Sequence, residues 1–239
     1  AEGERLVELA ASKGLKLAVN QNGRWAPYVS YLRQAVAKGL LGDIASCDIQ
    51  IAWDHSWIKG TRFEQIHHII LYDFAIHWFD IVRCVFGDEE AVTVFSQLQA
   101  SPGQAIAPPL AAQSVIRFEH GLASLVFRGH TAHAPGESIV VTGTKGTYRS
   151  AGAVCGNDEI TLTTAEGEAR VELEGAWFND GFAGSMGELL CAIEEDREPV
   201  NAARTNLPSL QLCFAAVASA DSGRPVCPAE VKALPASGA

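Results

Sequence analysis

Apolar side chains recur every three or four positions before residue 87 and every second position after residue 92, so two kinds of element follow one another along the chain. AEGERLVELAASKG predicts an amphipathic helix over 2–13 that Gly14 ends. LKLAV at 15–19 predicts a short strand, and a second helix over 27–38 stops at Gly39. DIASCDIQIAW at 43–53 reads as a strand, 54–70 as an ordered polar and aromatic loop, and Leu71–Gly87 as a helix with apolar residues on nearly every face. Beyond it, VTVFSQLQA at 92–100 predicts a strand leading into a Pro/Gly/Ala loop at 101–111. Three hairpins are expected around His120-Gly121, Thr144-Lys145 and Glu166-Gly167. Two helices close the pattern, over 180–195 and 206–220, with Pro208 near the first turn of the last. Consecutive hairpins among helices imply an α/β (α+β) fold, a mainly antiparallel sheet with helices on one face. ASLVFRG is apolar on both faces, so the uncovered side of the sheet is expected to be partly greasy and to associate with another subunit.

Chemistry concentrates in the helix at Leu71–Gly87. Asp73, His77 and Asp80 recur at i, i+4 and i+7, which would stack them on one stripe. A carboxylate one turn before a histidine fixes its tautomer and favours its charged form, as proton transfer near neutral pH requires. The structural reading of the same residues has Asp73 capping the helix and Asp80 paired with Arg83. The preceding loop offers charged and aromatic groups of the kind that bind hydroxyl-rich molecules, with His55 and Trp57 the leading substrate contacts and Lys59 behind them. A core or interface role is the alternative for the tryptophans. Arg24 follows a strand end and is counted with His55, Trp57 and Lys59 as a substrate contact facing the cleft, an ion pair between domains being the alternative. His120, His130 and His133 read as surface residues.

Composition narrows the classes. With 239 residues and 48% hydrophobic content the chain can bury the core of one large domain. The net charge of −10 argues against a nucleic-acid partner. No run of 18 apolar residues predicts a membrane span. Six cysteines without C-x-x-C or metal spacing read as reduced core residues of a cytoplasmic protein, with Cys84, Cys191 and Cys213 in apolar helical runs. His55, His67, His68, Asp73 and His77 place five potential ligands close together, but only Asp73 and His77 have a familiar ligand spacing, and no metal is expected. Glycines at i, i+2 and i+5 are absent, and the spacing of Gly181, Gly184 and Gly187 does not fit a dinucleotide fingerprint.

Taken in order, AEGERLVELAASKGLKLAVNQNGRWAP, AVAKGLLGDIASCDIQIAW, LYDFAIHWFD, VVTGTKGTYRS and NAARTNLPSLQLCFAAVASADSGRPV resemble the Gfo/Idh/MocA family of NAD(P)-dependent sugar and cyclitol oxidoreductases over about residues 1–232. The resemblance implies a C-terminal α/β domain whose Asp-x-x-x-His pair falls on Asp73 and His77. It also implies an N-terminal Rossmann domain carrying the NAD or NADP site and a catalytic Lys of a Glu-Lys-Pro motif, neither of which is in this sequence. Residues 1–20 would then be a linking helix and strand, and 21–239 the substrate and oligomerisation domain. The chain reads as part of a longer oxidoreductase moving hydride between NAD(P) and a sugar, cyclitol or related polyol, and by itself is expected to be inactive. Family members form dimers or tetramers through the sheet. Two further readings remain open: a ligand-binding or dimerisation module without chemistry, and an NAD-dependent glycoside hydrolase of the same superfamily.

Overall fold

The alternating half of the sequence builds one eight-stranded sheet in the computed structural model, which describes residues 2–231 apart from the side chains of Asn157 and Asp158. The ends of the expected domains that fall on residues 1 and 232–239 lie outside the described residues. Strands β2 (Thr93–Gln99), β3 (Ala111–Arg117) and β4 (Leu122–Arg128) form one antiparallel meander. A second comprises β5 (Gly136–Gly143), β6 (Gly146–Ala153), β7 (Gly156–Thr164) and β8 (Gly167–Val171). Strand β1 (Ile44–Ala52) joins them, parallel to β4 and antiparallel to β5, with Ile49 opposite both Leu125 and Ile139. All three expected hairpins form, and the sheet is mostly antiparallel.

Period-two alternation gives the strands one buried face, except β8 at the edge, which has no buried residue. Ile49, Leu125 and Ile139 point into a core closed by Trp78, Phe79 and Val82 of α3 (Ile76–Phe86) and Leu212 and Ala216 of α5 (Ala203–Ser222). Helices α1 (Glu2–Ser12), α2 (Pro27–Ala37) and α4 (Trp177–Glu194) complete the helical layer. On the opposite face, Val115 and Leu122 are about half exposed.

Four expectations change. LKLAV forms no strand; Ala18 makes one bridge to Ala202, and the segment bonds to the loop before α5, through Val19 N to Asn201 O (2.9 Å) and Ala203 N to Leu17 O (2.7 Å). This anchorage starts α5 three residues earlier than its local sequence suggests, so Pro208 falls inside the helix. Asn206, which reads as a boundary residue, accepts a hydrogen bond from Gln21 at 3.0 Å instead. Cys191 lies on the exposed side of α4, while Cys47 and Cys213 are buried and all six cysteines are unbridged. The helix at 71–87 is not uniform: Ile70–Ala75 is a π-helical turn that continues into α3. Its i→i+5 bonding widens the repeat just where Asp73 lies.

Candidate active site

The widened turn separates the three polar residues that a regular helix would stack. Asp80, one turn into α3, faces the interior. Its two carboxylate oxygens accept from Arg24 Nε and Nη2, both at 2.7 Å, and Ser209 Oγ donates to Oδ1 at 2.7 Å. Arg24 Nη1 donates to Val200 O, so its guanidinium is engaged on both sides inside the protein. The expected role of Arg24 as a substrate contact is therefore replaced by that of an internal ion pair, and Arg83 bonds the carbonyls of Gly87 and Glu89 rather than Asp80. Fixing the charged pair ties the short helical turn Asn22–Trp25 to α3.

Asp73 faces the other way, into a cleft of about 350 Å³ at the end of the sheet where β1 finishes and β6 turns into β7. Its carboxylate does not cap the helix and makes no hydrogen bond to His77. The nearest ionisable partner is His55, whose Nε2 lies 3.8 Å from Asp73 Oδ2. His55 is carried in by the loop after β1, where its backbone N–H donates to Gly129 O at 2.7 Å. The ring is only 3% exposed and neither nitrogen has a hydrogen-bond partner. His77 lines the same cleft, edge-on to Trp78 and Trp177, with its Nδ1 buried and unpartnered. Three unpaired imidazole nitrogens in one place are costly to bury and uncommon outside sites that meet a ligand.

Burial lowers the pKa of both rings. For His77 the charge of Asp80 and then of Asp73 opposes it, and for His55 that of Asp73 and then of Asp54. Both therefore favour the neutral imidazole, which has one donor and one acceptor nitrogen. Trp53, Phe74 and Trp78 wall the cleft, and Trp177 closes it with its Nε1 donating to Asn22 Oδ1 at 2.8 Å. Trp57, 53% exposed and edge-on to His55 at 5.1 Å between centroids, forms the rim with Phe178 and Phe182. Lys59 lies outside on an exposed turn. His67 is exposed and His68 Nε2 meets Asp221 at 2.8 Å, so the histidine-rich stretch does not converge. Among the described residues no three His, Cys, Asp or Glu side chains are grouped to hold a metal ion.

Beneath the cleft lies a carboxylate that the sequence reading passed over. Glu137 of β5 is buried, and Oε1 accepts from Tyr28 Oη (3.0 Å) and Trp78 Nε1 (3.2 Å), while Oε2 accepts from Cys155 N (3.0 Å). Burial pushes its carboxyl up to about 7 against the pull of these donors. Cys155, at φ +61°, turns β6 into β7 and presents a half-buried thiol to the cleft. The available signal was parity: Glu137 shares the inward register of Ile139 and Val141.

The Gfo/Idh/MocA C-terminal domain model matches residues 29–149, which is half of the chain and includes β1, the π turn and α3. The chain belongs to the Gfo/Idh/MocA family. Within that family it is similar to D-apiose dehydrogenase of Paraburkholderia graminis, 24% identical over 248 residues that take in 99% of this chain and 64% of the relative. The chain thus spans less than two thirds of that relative's length. Solved structures share the fold. An oxidoreductase from Agrobacterium radiobacter, in complex with NAD+, L-tartaric acid and magnesium, superposes with a TM-score of 0.82 at 18% identity, over 95% of this chain and 69% of that one. An aldose-aldose oxidoreductase from Caulobacter crescentus, complexed with glycerol, gives 0.77 at 18% identity, over 94% and 68%.

Proposed function

We propose that this chain is the substrate-binding part of a nicotinamide-dependent Gfo/Idh/MocA oxidoreductase acting on a hydroxyl or carbonyl group of a sugar, cyclitol or related polyol. The observation that carries this reading is the pair of under-bonded imidazoles, His55 and His77, beside Asp73 at the bottom of an aromatic cleft. Residues 1–20 act as the link to a nucleotide-binding region, and 21–239 as the substrate and oligomerisation unit. The exposure of Leu15 and Leu17, in a segment held to the sequence before α5 by a single bridge and outside the sheet, supports that division.

The donor set fits proton traffic next to a hydride-transfer cofactor, since it offers neutral bases and no phosphate cradle. NAD or NADP, when bound, accepts or returns the hydride, and its dinucleotide would be held by residues outside this chain. His77, kept neutral by burial, takes the proton of the reacting hydroxyl in oxidation and gives it back in reduction. Asp73 and Asp80 stabilise the imidazolium formed at that moment, both through space. His55 and Trp57 orient the substrate, and the aromatic walls exclude water. Arg24 positions the Asn22–Trp25 turn, and Lys59 takes no part.

The test uses the full-length protein. His77→Ala should lower kcat by about 10²–10⁴, the range of a positioned acid-base group, while the melting temperature moves by only a few degrees. Asp73→Asn should lower kcat by less, because Asp80 remains. Normal turnover by folded His77→Ala enzyme would make His77 a packing residue and end this assignment.

A further inference from the structure

We infer that His55, backed by Asp73, reads a hydroxyl of the bound molecule and makes the cleft select uncharged ring-form sugars over their acid or phosphorylated counterparts. The inference rests on the polyol reading above and narrows it. Two observations carry it. The first is the state of His55, a ring 3% exposed with both nitrogens unpartnered, held in the cleft by its own backbone bond to Gly129. Such a ring is incomplete until something both donates to it and accepts from it. The two nitrogens lie on opposite edges of the ring, so a hydroxyl meets one of them, where it can donate or accept as the tautomer requires. A carboxylate or phosphate only accepts, and with Asp73 Oδ2 3.8 Å from Nε2 favouring the ring proton at that edge, it has no proton to give to Nδ1. Burial favours the neutral ring, which reinforces this matching.

The second observation is the charge of the walls. Asp73, whose side chain is 40% exposed, is the one carboxylate among the described cleft residues, and no Lys or Arg lines it. Arg24, the nearest candidate by sequence, is closed off by Asp80 and Val200. An anionic ligand would meet Asp73 with no counter-charge from this chain, in a partly desolvated space where like charges repel strongly. The remaining surface is aromatic: Trp53, Trp57, Phe74 and Trp177 offer flat faces and edges to the C–H side of a sugar ring. Stacking of that kind suits a ring form better than an open chain.

The discriminating experiment measures binding and turnover in the full-length protein for three matched pairs: glucose and glucuronate, galactose and galacturonate, mannose and mannuronate. At least one aldose should be preferred over its uronate about tenfold or more in kcat/KM or in calorimetric affinity. His55→Phe should raise KM for that aldose about tenfold with kcat within about threefold, and His55→Gln, which restores a donor and an acceptor, should recover part of the loss. Thermal unfolding of both variants checks that each is folded. A uronate bound as well as its aldose, binding of no member of any pair, or an unchanged KM in folded His55→Phe would overturn the inference. Aldose binding that is lost in His55→Phe, without any change in NAD(P)H, would sink the oxidoreductase reading and leave this one standing.

Discussion

Glu137 shows how much one side chain can govern under a site it does not enter. Its carboxylate joins Tyr28 of α2, Trp78 of α3 and the Cys155 turn, so the floor of the cleft hangs on a group whose pKa is raised to about 7. The ordinary value is 4.5, and a raised carboxyl means that the folded protein binds a proton more tightly than the unfolded chain. Its favourable contribution is complete below pH 4.5 and is lost as pH rises toward 7. Glu137→Gln should remove this trend, so urea unfolding at pH 5 and pH 7 should show wild type losing stability relative to the variant as pH rises, by up to ~1.4 kcal/mol per pH unit. A parallel pH dependence in the two proteins would place the titration elsewhere. Asp73 and His77 were legible in the sequence because polar groups in an oily helix stand out. Their partners were not, since a pairing such as Asp80 with Arg24, or Asp73 beside His55, depends on chain segments brought together only by folding.

Helix α4 explains the glycine spacing that fits no nucleotide motif. A Cβ on Gly181 would lie 2.6 Å from Asn22 O, and one on Gly184 only 2.3 Å from the Trp25 ring, so both glycines let α4 press against the Asn22–Trp25 turn. That approach brings Trp177 over the cleft. Gly187, next in the series, has open space beside it. Gly184→Ala should therefore cost about 1–3 kcal/mol of unfolding free energy through overpacking, while Gly187→Ala should be neutral or stabilise by up to ~1 kcal/mol through helix propensity. Chemical denaturation of the two variants measures both; equal effects would mean that the close approach carries no weight. The helices and hairpins themselves were readable because period and turn residues are local signals. The π turn was not: nothing in ILYDFA, without Pro or Gly, marks the change from i+4 to i+5 bonding.

At the scale of the whole molecule, the helices among the described residues cover one side of the sheet and none of them covers the other. Phe95, Val115, Leu122 and Val126 fall on that side among polar neighbours, in agreement with the apolar excess read from ASLVFRG. The protein should therefore self-associate through its strands, in an interface burying more than roughly 1,000 Å² in total. Light scattering at tens of micromolar checks this, and Val115→Lys with Val126→Lys should shift the population toward monomer. A monomeric parent protein would refute the assignment of this face. The α/β class and one-sided cover were legible from the switch of period near residue 87; the strand order was not, because nothing local says that β1 must leave its neighbours in sequence.

That strand order has a kinetic consequence. Each meander can form from hairpins as soon as its strands exist, but β1 finds its partners in β4 and β5, about eighty residues or more further on: Ile49 meets Leu125 and Ile139. Closure of the sheet at its centre is therefore a long-range event, for which loop entropy is lost before contacts are gained. Two half-sheets with an unfilled slot between them would be the natural late species on the way to the native state, and an intruding strand from another molecule could fill that slot first.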